Sequence, residues 1–135
     1  MGKPPTVVDF TWQSELIFDA VADGMPMTID SAGKAGASPM QSLGAALGGC
    51  MTIDVAYILK RGRHTFRALR SRLIGERSQD EPHRFVRVTL HVIVEGSVPR
   101  DAIERALQLS HDKYCSVWHS MRQDLEFAVT FEQIP

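Results

Sequence analysis

The chain has 135 residues, enough for one compact domain that buries roughly two thirds of its unfolded surface without disulfide or metal staples. An apolar fraction of 44%, a charged fraction of 23%, 10 glycines and 7 prolines exclude collagen-like, disordered and low-complexity chains. Fifteen Lys and Arg against sixteen Asp and Glu leave a net charge of -1, which excludes a general field drawing the protein onto nucleic acid or anionic lipid.

Residues 6–12 and 16–22 are rich in β-branched and aromatic side chains and are separated by the polar Gln13-Ser14-Glu15, which predicts a hairpin. After the turn signal Asp23-Gly24, Met25, Met27 and Ile29 alternate with Pro26, Thr28 and Asp30, giving a third strand. Residues 31–37 carry no periodicity and read as a loop. A helix starts at Ser38, a preferred N-cap, with Pro39 in the first helical position and Gln41 completing a capping box. It extends to about Lys60, before Gly62, and is apolar or small on nearly every side, so it is expected to be a central helix covered all round. Gly44 and Gly48 would let another helix approach closely.

Two long strands follow over residues 66–76 and 84–94, the second with Val86, Val88, Leu90, Val92 and Val94 on one face. Ile103, Leu107, Ser110 and Tyr114 mark one face of a second helix, residues 115–123 form a short third one, and Leu125, Phe127, Val129 and Phe131 alternate in a closing strand. The order βββαββααβ shows no parallel βαβ rhythm, and layer logic makes it one α+β domain, residues 1–135, with antiparallel sheet wrapping helices. One amphipathic helix and six strands hardly cover so apolar a central helix, so a homodimer is expected. Met1-Gly2-Lys3-Pro4-Pro5 lacks the apolar core of a signal peptide, and the apolar run 43–59 contains Thr52, Asp54 and three glycines. The expectation is a cytoplasmic protein with no membrane partner.

Nucleotide-loop, metalloprotease and nucleophile-elbow motifs are absent. Cys50 and Cys115 are far apart with no zinc-finger spacing, and His64, His83, His91 and His111 form no ligand pair, so no metal is expected. Cys50 lies mid-helix beside Ala46, Leu47 and Met51, a setting that by itself raises a thiol pKa and makes it inert. Asp54, one turn later, pushes in the same direction if ionised nearby. Cys115 stands at a helix start after Lys113-Tyr114, where dipole and ammonium favour thiolate. If that helix continues, His119 and Arg122 share the face of Cys115. Two readings stand: a cationic stripe that stabilises the thiolate, or solvated residues at a helix end. Arg70 and Arg72 share a strand face but Arg67 does not, so the cluster reads as solvated surface and no nucleic-acid partner is expected.

The run Ala37-Ser38-Pro39-Met40-Gln41-Ser42-Leu43-Gly44-Ala45-Ala46-Leu47-Gly48-Gly49-Cys50-Met51-Thr52-Ile53-Asp54-Val55 and the run Lys113-Tyr114-Cys115-Ser116-Val117-Trp118-His119-Ser120 resemble the two cysteine motifs of the OsmC/Ohr family, and the element order matches over nearly the whole chain. The resemblance implies an intertwined homodimer in which antiparallel sheets wrap two central helices, with active sites at the subunit interface. It also implies thiol-dependent reduction of organic hydroperoxides, with Cys50 as the peroxidatic and Cys115 as the resolving thiol. Met40, Gln41, Leu47 and Met51 are the candidate pocket residues. No bound cofactor is implied; an external thiol or dihydrolipoyl group is the reductant. In the Ohr branch an arginine from the first hairpin and a glutamate after the helix-start proline hold the thiolate. Here Met40 and Gln41 follow Pro39, and no arginine lies between Thr6 and Lys34. That pattern is closer to the OsmC-like branch. It leaves His119 and Arg122 as substitutes for the cation, and a non-catalytic or redox-sensing protein that binds an apolar small molecule as the alternative function.

Overall fold

The computed structural model of the chain describes residues 2–135. They form two compact units, one ending at Leu43 and the other spanning Gly44–Pro135.

The first unit is an antiparallel sheet of three strands, β1 (Val8–Ser14), β2 (Ile17–Ala22) and β3 (Met25–Asp30), in the order β1-β2-β3. Asp23 and Gly24 both have positive φ, 48° and 88°, the geometry of a two-residue turn whose twist matches the strands it joins. Val8 pairs with Ala22, Phe10 with Ala20 and Trp12 with Phe18, while Phe18 pairs with Ile29, Ala20 with Met27 and Ala22 with Met25. Since side chains alternate across a strand, one whole face of this sheet is apolar, and Trp12 and Met25 on it are 63% and 68% exposed. Residues 31–37 form the expected irregular segment. It is organised by the buried Asp30 carboxylate, which accepts backbone N–H bonds from Ala32, Lys34 and Ala35 at 3.0, 3.1 and 2.8 Å. The capping box also forms: Gln41 N donates to Ser38 Oγ at 3.1 Å, and Ser38 N donates to Gln41 Oε1 at 2.9 Å.

Helix α1 (Pro39–Arg61) leads into the second unit, which also holds β4 (Ala68–Arg77), β5 (Phe85–Glu95), α2 (Arg100–Leu109), α3 (Ser116–His119) and β6 (Glu126–Ile134). The sheet order is β4-β5-β6. β4 runs antiparallel to β5 as expected, but β6 runs parallel to it, Val88 facing Phe127 and Leu90 facing Val129. The all-antiparallel expectation is corrected here. The helices between β5 and β6 carry the chain back along the sheet, so the last strand enters in the same direction as β5. Val88, Leu90, Val92 and Val94 are fully buried on one face of β5, each contributing about 2 kcal/mol of burial.

That face packs with one side of α1, formed by Leu47, Met51, Val55 and Leu59, and with Ile103, Ala106 and Leu107 of α2. Gly44 and Gly48 meet Leu73, not a second helix: a Cβ on Gly48 would stand 3.3 Å from Leu73 Cδ1. The helix is therefore not covered all round within one chain, and Ile53 and Tyr57 remain 69% and 58% exposed. By length and composition α1 could also cross a membrane. On the outer side of the sheet Arg70 pairs with Glu95 at 3.5 Å and Arg87 with Glu126 at 3.0 Å, the solvated face read from the arginine spacing.

Candidate functional site

Cys50 and Asp54 are one turn apart on α1 and share a face. Cys115 reaches them from the other end of the unit through a change of helical pitch. After Leu109 the α-helix passes into a π-helical turn, Ser110–Tyr114, closed by a bond from Cys115 N to Ser110 O at 2.8 Å. In an α-helix Ser110 would share its face with Tyr114; in the wider π turn it shares it with Cys115. Ser110 and Cys115 are accordingly both fully buried, and Tyr114 is half exposed. Trp118 packs on Phe127 with ring centroids 4.8 Å apart and on His111 at 5.6 Å, which fixes the turn and α3 against β6.

The result is a cluster in which Cys50 Sγ, Cys115 Sγ and a carboxylate oxygen of Asp54 all lie within 4.8 Å of one another. Both cysteines are reduced, Cys50 half-buried and Cys115 buried. The Ser110 hydroxyl donates to Asp54 Oδ2 at 2.8 Å and so orients the carboxylate. Cys115 is the N-cap of α3 and accepts a bond from Trp118 N at 3.4 Å. Its thiol is pushed up to about 11, chiefly by burial, with the adjacent Cys50 and Asp54 adding to the rise and the Trp118 N–H opposing it. This reverses the direction expected from sequence. α3 has only four residues, and the ammonium of Lys113 lies over the Tyr114 ring at 5.3 Å, so burial outweighs both favourable terms.

Residues 31–130 match the family described as OsmC-like protein. The chain belongs to the OsmC-like family. It is 35% identical to protein YhfA of Escherichia coli over 115 residues, 84% of this chain and 86% of YhfA. Among solved structures, a hypothetical protein from Aquifex aeolicus is similar at 26% identity with a TM-score of 0.89, covering 97% of each chain. An organic hydroperoxide resistance protein OsmC from Legionella pneumophila shares the fold at 13% identity, with a TM-score of 0.73 over 98% of this chain and 99% of that one.

In this OsmC-like chain the remaining predicted site residues are placed differently. Arg122 lies beyond the end of α3 and donates through Nη2 to Asp124 Oδ2 at 2.6 Å; His119 Nε2 is bonded to His111 O at 3.0 Å. The helix stops at His119, so the helical stripe does not extend to Arg122. Leu47 and Met51 are core residues of the second unit, 1% and 0% exposed. Gln41 is the capping residue, and Met40 is half-buried in the first turn of α1. Among the described residues, Cys50, Asp54 and Cys115 are also the group whose spacing could hold a metal ion, one ligand short of the four in a structural zinc site. Ser110 joins the site by a route that α-helical periodicity hides, whereas Asp54 was visible four residues after Cys50.

Proposed function

We propose that this OsmC-like protein is a thiol-dependent reductase of organic hydroperoxides, with Cys50 as peroxidatic and Cys115 as resolving thiol. The observation that supports the reading is the meeting of two reduced sulfurs from distant parts of the sequence within 4.8 Å in a sheltered cluster. Cys50, the more exposed of the two, attacks the distal peroxide oxygen; the O–O bond breaks, an alcohol leaves and a sulfenic acid remains. Cys115 then attacks the sulfenic sulfur, water leaves and a disulfide forms. A dihydrolipoyl group or other external dithiol returns two electrons and two protons. No bound cofactor enters this cycle, and a reducing compartment such as the cytoplasm suits it.

The functional unit on this reading is a homodimer. The apolar face of the β1-β2-β3 sheet and the exposed Ile53 and Tyr57 of α1 are surfaces that a second copy would cover. The substrate on this reading is a hydroperoxide with an apolar substituent.

Peroxide consumption with dithiothreitol as reductant is expected to vanish in Cys50→Ser; a rate equal to that of the unaltered protein would refute the proposal. Mass spectrometry after one equivalent of cumene hydroperoxide is expected to find Cys50 linked to Cys115. One observation favours the alternative of a non-catalytic or redox-sensing binding protein: burial holds the Cys115 thiol far above neutral pH, and no cation among the described residues acts to lower it. On that alternative the disulfide forms no faster than in an unfolded dithiol control.

A further inference from the structure

Both steps of the cycle release a proton from a thiol and require one at a leaving oxygen. The environment offers a Cys115 thiolate little help. The groups acting on Cys115 are the Trp118 N–H, Cys50 and Asp54, and the basic side chains nearest it in sequence are engaged elsewhere. His111 pairs with Asp112 at 2.9 Å, His119 is bonded to a carbonyl, Arg122 is held by Asp124, and Lys113 lies over Tyr114. β5 turns Val88, Leu90, Val92 and Val94 inward. A thiol that is not held as thiolate in waiting, as Cys115 is not, has to lose its proton as the sulfur attacks. Asp54 is the carboxylate within 4.8 Å of both sulfurs, the reach of one bridging water. Its other freedom is restricted by the buried Ser110 hydroxyl on Oδ2.

We infer that Asp54 is the proton carrier for both half-reactions, an assignment that rests on the hydroperoxide-reductase reading. In the first step the carboxylate takes the Cys50 proton as the S–O bond forms, and returns it to the alkoxide released when the O–O bond breaks. In the second it takes the Cys115 proton as the S–S bond forms, and returns it to the departing hydroxide, giving water. The carboxylate ends each step as it began. It takes the place of a thiolate-stabilising cation with a base that acts at the moment of attack.

The test uses the opposite signs that this role produces in Asp54→Asn, which keeps the shape and an acceptor for Ser110. Loss of the negative charge makes the Cys115 thiol easier to ionise, so thiolate absorbance near 240 nm is expected to rise at lower pH than in the unaltered protein. Turnover of cumene hydroperoxide with dithiothreitol is nevertheless expected to fall by about a hundredfold or more. A purely electrostatic role would instead raise turnover along with thiolate, and a purely structural one would lower turnover in Asp54→Ala without restoration by formate. Turnover within threefold of the unaltered protein, or above it, overturns the assignment. Should Asp54→Asn fail to fold, Asp54→Ala assayed with added formate decides: partial restoration by formate supports the role, and none overturns it. If the unaltered protein and Cys50→Ser turn over peroxide equally, the hydroperoxide-reductase reading itself has failed, independently of Asp54.

Discussion

Raising the pH through the ionisation of Cys115 should cost the folded protein stability by an amount that the structure sets. The thiol is held at about 11 against an ordinary value of 9.0, so folded and unfolded chains differ by about 2 pH units, equivalent to at most about 2.7 kcal/mol. Water reaching the half-buried Cys50 side of the cluster reduces that to about 1–2 kcal/mol. The sign follows from linkage. Because the folded state holds the proton more tightly, the contribution is fully present below pH 9.0, and it declines as pH rises to about 11. Urea unfolding at pH 8 and at pH 10.5, in parallel for the unaltered protein and Cys115→Ala, isolates the effect, since other titrating groups are common to both. The stability gap between the two should change by about 1–2 kcal/mol, in favour of the alanine variant at high pH. A gap that is the same at both pH values would refute the claim that burial raises this thiol.

Gly75→Ala should destabilise the protein by about 1–3 kcal/mol in a denaturant titration, because a Cβ there would stand 2.5 Å from Phe85 Cε1. Ser38→Ala, which removes the hydroxyl bonded to Gln41 N, should cost about 1 kcal/mol by the same measurement. Replacing Trp12 with Glu on the exposed apolar sheet face should lower the mass found by light scattering from twice the 15.0 kDa of the chain towards the single value. Arg122→Ala, which removes a partner of Asp124 on the surface, should change peroxide turnover by less than twofold.

Local signals were legible where local physics decides. Asp23-Gly24, Ser38-Pro39 and the valine alternation of β5 each specify their conformation within a few residues, and each appears where it was read. The direction of β6 was hidden because its alternation is the same in parallel and antiparallel pairing. The apolar surround of α1 was read as full coverage, yet hydrophobicity records what a surface requires and not which chain supplies it. At the site, the convergence of Cys50 and Cys115 followed from family resemblance, with no spacing rule behind it. The stripe through His119 and Arg122 assumed a helix longer than the four residues that form. Ser110 was assigned to the face of Tyr114 because the reading used a period of 3.6, and five residues of wider pitch altered the partner.

That pitch acts as a ruler for the chemistry. Were the five-residue interval from Ser110 to Cys115 kept while the turn relaxed to ordinary α geometry, the second thiol would swing by about 100° about the axis, away from the face of that serine. The resolving sulfur would then leave its neighbour. Sequences that keep both cysteines should therefore hold the sulfur pair when interval and pitch match, five residues on the wider turn or four on an ordinary one, which makes that match a better marker of dithiol chemistry than the cysteines themselves.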